Sequence, residues 1–153
     1  PQFSASARMT AATDKFLTAA DDGVYLSPRS VASVREGALV QGLAWCEIDL
    51  AGARDKKSFL TCCAQSLGFP EGFGGNWDAL ADCLEDLAWL PDAGVVIRWR
   101  HGSEFVGAAK DHAMALEIFA AAANYWQMKA RVFVLLVDAD ACGNNRLAVF
   151  GRQ

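Results

Sequence analysis

Between Lys57 and Arg98 the chain has no lysine or arginine, yet Glu71, Asp78, Asp82, Glu85, Asp86 and Asp92 all fall in that interval. These carboxylates therefore have no cation close in sequence to pair with. Nor is basic charge in excess overall: 14 Lys and Arg against 18 Asp and Glu leave a formal charge of −4. That is the wrong sign for gripping phosphate backbones, so no nucleic-acid partner is expected. No apolar run reaches the roughly 18 residues needed to span a bilayer, and Pro1–Thr13 lacks the apolar centre of a signal peptide. A soluble, cytoplasmic protein without a membrane partner is expected. Histidine is scarce, with only His101 and His112, and the five cysteines at 46, 62, 63, 83 and 142 include no Cys-x-x-Cys pair. These spacings suit neither a zinc site nor a secreted disulfide framework, and the cysteines lie in apolar stretches. Reduced core thiols, no metal and no cofactor are expected.

What is present suits one domain: 153 residues, 53% hydrophobic and 21% charged. The first methionine is Met9, so residues 1–8 are set aside from fold reasoning. Residues 1–13 are expected to be a disordered or cloning-derived tail, and residues 14–153 a single domain. Weak periodicity predicts a short helix over Asp14–Ala20, a strand over Gly23–Leu26 and a helix over Ser30–Gln41. Ala44–Leu50 alternates as a strand, and Asp55 is a helix N-cap. Phe59, Leu60, Cys63 and Leu67 recur at helical spacing until Gly68 and Pro70 stop the helix. Gly94–Trp99 and Arg131–Val137 read as strands, the second buried on both faces, and Glu104–Gln127 as one long helix. Gly143-Asn-Asn145 turns toward a possible last strand, Arg146–Phe150. Strands alternating with helices define an α/β fold with a mainly parallel sheet. His112 lies on the apolar stripe of the long helix and reads as a packed core residue rather than a catalyst.

On a helical wheel over residues 77–90, Asp78, Asp82, Glu85, Asp86 and Trp89 share an arc of about 100°. Trp77, Leu80, Cys83, Leu84, Leu87 and Leu90 occupy the opposite side. The acidic face is either a solvated surface or a binding face. Trp89 is either an interface anchor or folded back onto the domain. A catalytic carboxylate pair is a third reading, although nothing in the pattern supplies a pocket, a nucleophile or a base. The glycines of Gly72-Phe-Gly-Gly75 follow a helix rather than a strand, and Trp77 stands where a dinucleotide loop has its third glycine.

The stretch Phe73-Gly-Gly-Asn-Trp-Asp-Ala-Leu-Ala-Asp-Cys-Leu84 resembles the barstar family, in which an aromatic-Gly-x-Asn loop opens a helix of the type x-Asp-Ala-Leu-x-Asp-Cys-Leu. The resemblance continues through Trp89–Arg100, Leu116–Phe119 and Val132–Val137, a matched core of residues 45–137. It implies a three-layer fold with a small, mainly parallel three-stranded sheet flanked by helices, here with an N-terminal extension. It also implies a cytoplasmic, non-enzymatic inhibitor whose loop and acidic helix plug the active site of a small secreted ribonuclease, with carboxylates in subsites that otherwise hold RNA phosphates. Carried over to this chain, the partner-binding set is Phe73, Gly75, Asn76, Asp78, Ala81 and Asp82, with Asp82 at its centre. Glu85, Asp86 and Trp89 join it from the wheel. Gly72 stands where the family prototype has an interface tyrosine, Ala81 where it has a tryptophan, and Ala121 where it has a third-helix glutamate. The expected partner is one cognate toxin in a 1:1 complex, either a basic ribonuclease neutralised by this chain as immunity protein or antitoxin, or a toxin of another class bound by the same face.

Overall fold

The computed structural model describes residues 16–151. The most apolar run of the chain is strand β4 (Val132–Val137), with all six residues buried. A strand covered on both faces suits the interior of a parallel sheet. Strand β4 lies between β1 (Gly23–Leu26) and β3 (Gly94–Arg100), and β2 (Ala44–Asp49) completes the order β1-β4-β3-β2. All three pairings are parallel. Parallel neighbours need crossover connections. These run through α1 (Val31–Val40), then α2 (Lys56–Leu67) with α3 (Trp77–Asp86), then α4 (Ser103–Val106) with α5 (Ala109–Met128). Gly94 opens β3 at φ 135°, where an added Cβ would sit 2.2 Å from the Val132 carbonyl oxygen.

Alternation along the strands divides the apolar residues between two cores. Val95, Ile97, Trp99, Phe133, Leu135 and Val137 face a large core shared with α2, α3 and α5. Val96, Val132, Val134 and Leu136 face a smaller one with Leu17, Ala38, Leu43 and Phe150. The result is three layers, with α1, Leu17 and Phe150 on the thin side. Among the described residues no helix is long and apolar enough to cross a membrane.

The α/β parallel architecture agrees with the expectation, but the sheet has four strands rather than three, because Gly23–Leu26 adds an edge beside β4. In place of the helix expected over Asp14–Ala20 there is one 3-10 turn, Ala19–Asp21, capped by Thr18. Phe16–Thr18 is non-helical, and Asp14 and Lys15 lie outside the described residues, as does the expected tail over residues 1–13. Arg146–Phe150 forms no strand; its one bridge pairs Val149 with Leu26, the last residue of β1, on the outer side of that strand. The helix expected over Glu104–Gln127 is broken after Gly107, at Ala108, whose backbone leaves the helical region (ψ 68°) before α5 begins. The break lets Phe105 bury fully and stack on Phe59 with ring centroids 4.4 Å apart.

Candidate functional site

The site is built where α2 hands over to α3. Asp55 caps α2 with Ser58 in a reciprocal capping box, and Gly68 ends it in the left-handed conformation (φ 69°). The loop then crosses the surface, with Phe73 half-buried against Phe69 at 5.0 Å and Gly75 at φ 67°. Asn76 begins α3 by accepting a hydrogen bond from the Ala79 N–H at 2.8 Å. Leu80 and Leu84 are fully buried and anchor the inner face of α3. At its far end the Trp126 indole donates to the Leu84 carbonyl at 2.8 Å, which ties α3 to α5.

With that face fixed, Asp78, Asp82, Glu85 and Asp86 are all exposed on the outer side of α3. Among the described residues none of the four makes an ion pair or a side-chain hydrogen bond. Asp78 lies in the first turn, where the helix dipole favours a negative charge, but Glu85 and Asp86 lie at the unfavourable end. Asp78 with Asp82 and Asp82 with Asp86 are like charges one turn apart, each costing about 0.2–0.5 kcal/mol. The helix thus carries a row of charge that works mildly against its own stability. Cys83 on the same helix is a poor nucleophile, since burial pushes its thiol up and Asp86 and Asp82 push it further. Among the described residues no cluster of His, Cys, Asp or Glu could hold a metal ion.

Trp89 does not join this face. Helix α3 stops at Asp86 because Leu87 is buried and adopts the left-handed conformation (φ 37°). The chain then turns, and the Trp89 indole donates to the Leu67 carbonyl at the end of α2 at 2.9 Å, its ring 6.4 Å from Phe69. Trp89 is 41% exposed, so it caps α2 with one edge open to solvent. Ala81 lies half-buried at the side of α3, where it lines a groove with Lys56, Trp77, Asp78, Met114 and Ile118. Sequence reasoning missed that groove, because its walls come from three helices.

It also missed an ionic cluster at the carboxyl ends of the strands. Arg98 makes two 2.9 Å hydrogen bonds to Asp138, which also accepts from Ser27 Oγ at 2.6 Å. Glu47 accepts from Trp45 Nε1 at 2.9 Å and from Arg100 at 3.0 Å, with Arg98 3.7 Å away. Burial acts to raise the Glu47 carboxyl, but these donors outweigh it and hold it below its usual range. His112 is buried, its Nε2 2.7 Å from the Ala141 carbonyl oxygen and its ring among Trp99 and Phe105, as the core reading anticipated.

The fold and site therefore define a small parallel α/β protein that presents a loop and an unpaired acidic helix on its surface. A family model described as Barstar (barnase inhibitor) matches residues 43–138, which covers β2 through β4 and includes the whole loop and acidic helix. The chain belongs to the barstar family. No curated protein matches it closely enough to count as a relative. The family match begins after β1 and α1, so the fourth strand and the thin helical layer lie outside the matched residues.

Proposed function

We propose that this chain is an immunity protein or antitoxin that blocks the active site of one cognate, basic, secreted or delivered ribonuclease, in a 1:1 complex formed in the cytoplasm. The chain itself catalyses nothing. The observation that carries the reading is the row of exposed carboxylates, Asp78, Asp82, Glu85 and Asp86, without cationic partners among the described residues, on the helix that bears the family motif. A ribonuclease active site is cationic because it binds RNA phosphates. Carboxylates held at phosphate-like positions on a rigid helix satisfy those cations and exclude the substrate, and their field speeds encounter. Asp82, midway along α3, is the centre of the contact. Asp78 and Asn76 flank it, Gly75 and Phe73 shape the loop edge, and Glu85 and Asp86 extend it toward the helix end. Trp89 borders the site through its exposed edge.

Purified chain titrated into barnase, and into the secreted protein encoded beside its gene, tests the reading by RNA cleavage. Stoichiometric loss of cleavage with either supports it. A second reading, immunity to a toxin that is not a ribonuclease, draws on Gly72, Ala81 and Ala121, which replace side chains that the family prototype uses for contact. Tight binding of the neighbouring protein, with no RNA cleavage to inhibit, would replace the first reading with the second.

A further inference from the structure

The loop that leads into the acidic helix is rich in freedom. Residues 69–76 include Gly72, Gly74 and Gly75, and Gly72 and Gly75 take positive φ, 91° and 67°. Glycine has the most backbone freedom to lose on ordering, so such a loop samples many arrangements unless something outside it narrows them. Its two aromatic side chains, Phe69 and Phe73, are half-buried against each other with ring centroids 5.0 Å apart. A third ring comes from the other end of α3. The left-handed Leu87 turns the chain, the Leu90 N–H closes the turn on the Leu87 carbonyl at 3.0 Å, and Trp89 is carried back toward α2. Its ring meets Phe69 edge to face at 6.4 Å, and its indole donates to the Leu67 carbonyl at 2.9 Å. An indole 41% exposed could give its N–H to water; here it gives it to the carbonyl that ends α2 just before the loop. The bond joins residues 22 apart in sequence. Phe73, Asn76, Asp78, Asp82, Glu85 and Asp86 all lie within the segment it closes.

Resting on the inhibitor reading above, we infer that Trp89 is a positioning residue, which closes Leu67–Trp89 into one unit and so sets the loop at Phe73 relative to the carboxylates of α3 before a partner arrives. Trp89 acts through the Leu67 carbonyl and Phe69, not by touching the partner. Affinity then depends on the fraction of free chains whose loop already has the bound arrangement. The apparent dissociation constant is the intrinsic one divided by that fraction, so loosening the brace weakens binding without removing any contact. The charges are untouched, and the salt dependence stays with the acids.

Two variants grade the brace. Trp89→Phe keeps a ring against Phe69 and removes only the N–H, whereas Trp89→Leu removes both; the position reaches solvent, and each variant is first shown to melt cooperatively. Barnase, or the neighbouring-gene toxin if that is the one whose RNA cleavage is inhibited, is the probe. Its Kd is measured across a salt series, and amide hydrogen exchange of residues 69–76 is followed in the free chain. The expected result is a Kd raised about threefold by Trp89→Phe and about tenfold by Trp89→Leu, with the slope of log Kd against log salt unchanged. Loop amides should exchange faster in the same order, while those of β3 and β4 keep their wild-type protection. A raised Kd with loop exchange unchanged would make Trp89 a contact residue and overturn the positioning role. A Kd within about 1.5-fold of wild type for both variants overturns it as well, however the loop exchanges, and leaves the inhibitor reading standing. If wild type binds neither protein, both fall.

Discussion

Two groups of carboxylates sit on opposite sides of the sheet and live under opposite electrostatic rules. Glu47 and Asp138, at the strand ends, are held by Arg98, Arg100, Ser27 and Trp45 in a partly buried cluster. Asp78, Asp82, Glu85 and Asp86 on α3 have no such partners among the described residues and stand in solvent. The first group spends its hydrogen-bonding capacity inside the molecule and contributes to the fold. The second keeps its capacity free, at a small cost to its own helix, which is the condition for using it on another protein.

The contrast is broken most severely at Asp82. Replacing it by alanine should weaken the ribonuclease complex by about 2–5 kcal/mol, the usual loss when one member of a buried interfacial charge pair is removed, a range to which the barnase–barstar pair itself contributes. Inhibition titrations check this, and thermal melts of the free variant should fall at or slightly above wild type, since two like-charge pairs are removed. Asp138→Ala should do the reverse. It strands Arg98 and Ser27 and should lower stability by about 1–3 kcal/mol, read by urea unfolding, with the dissociation constant unchanged. Between these lies a titratable group of neither kind. Burial pushes the Asp22 carboxyl up to about 7, Asp21 adds to the rise, and the hydrogen bond from the Phe133 N–H opposes it without winning. Its Oδ2 is buried with no partner among the described residues. A carboxyl raised on folding stabilises fully below its unfolded pKa of 3.8, and that contribution is lost as pH rises through about 7. Asp22→Asn keeps the acceptor for Phe133 and should flatten stability against pH between about 4 and 7, measured by melting temperature across that range. The smallest effect is expected at Asp86→Asn. Removing one like-charge pair at the unfavourable end of α3 should raise stability by about 0.2–0.5 kcal/mol, which a precise denaturation curve resolves.

The difference between the two groups also separates what is legible in one dimension from what is not. The acidic row and the apolar side at Leu80 and Leu84 follow from spacing along a single helix, and its opening at Asn76 from the family motif. The Arg98–Asp138 cluster joins residues 40 apart on two strands, and only the β3–β4 register brings them side by side. The groove lined by Ala81, Met114 and Ile118 is invisible for the same reason.

Local signals were sufficient wherever a periodic pattern met a strong stop. The capped helix from Asp55 to Gly68, the buried run Val132–Val137 and the motif Phe73–Leu84 could be read by themselves, because capping, alternation and helical period are properties of near neighbours. Tertiary structure decided the rest. It ended α3 at Asp86, because burying Leu87 outweighs the strain of its left-handed backbone, which costs roughly 1–3 kcal/mol. It turned Trp89 away from the acids to cap α2, broke the long helix so that Phe105 could stack on Phe59, and placed Gly23–Leu26 as a fourth strand on the open edge of β4. In each case a burial or hydrogen bond between distant segments outweighed a local preference of comparable size, a competition that the spacing of neighbouring residues does not record.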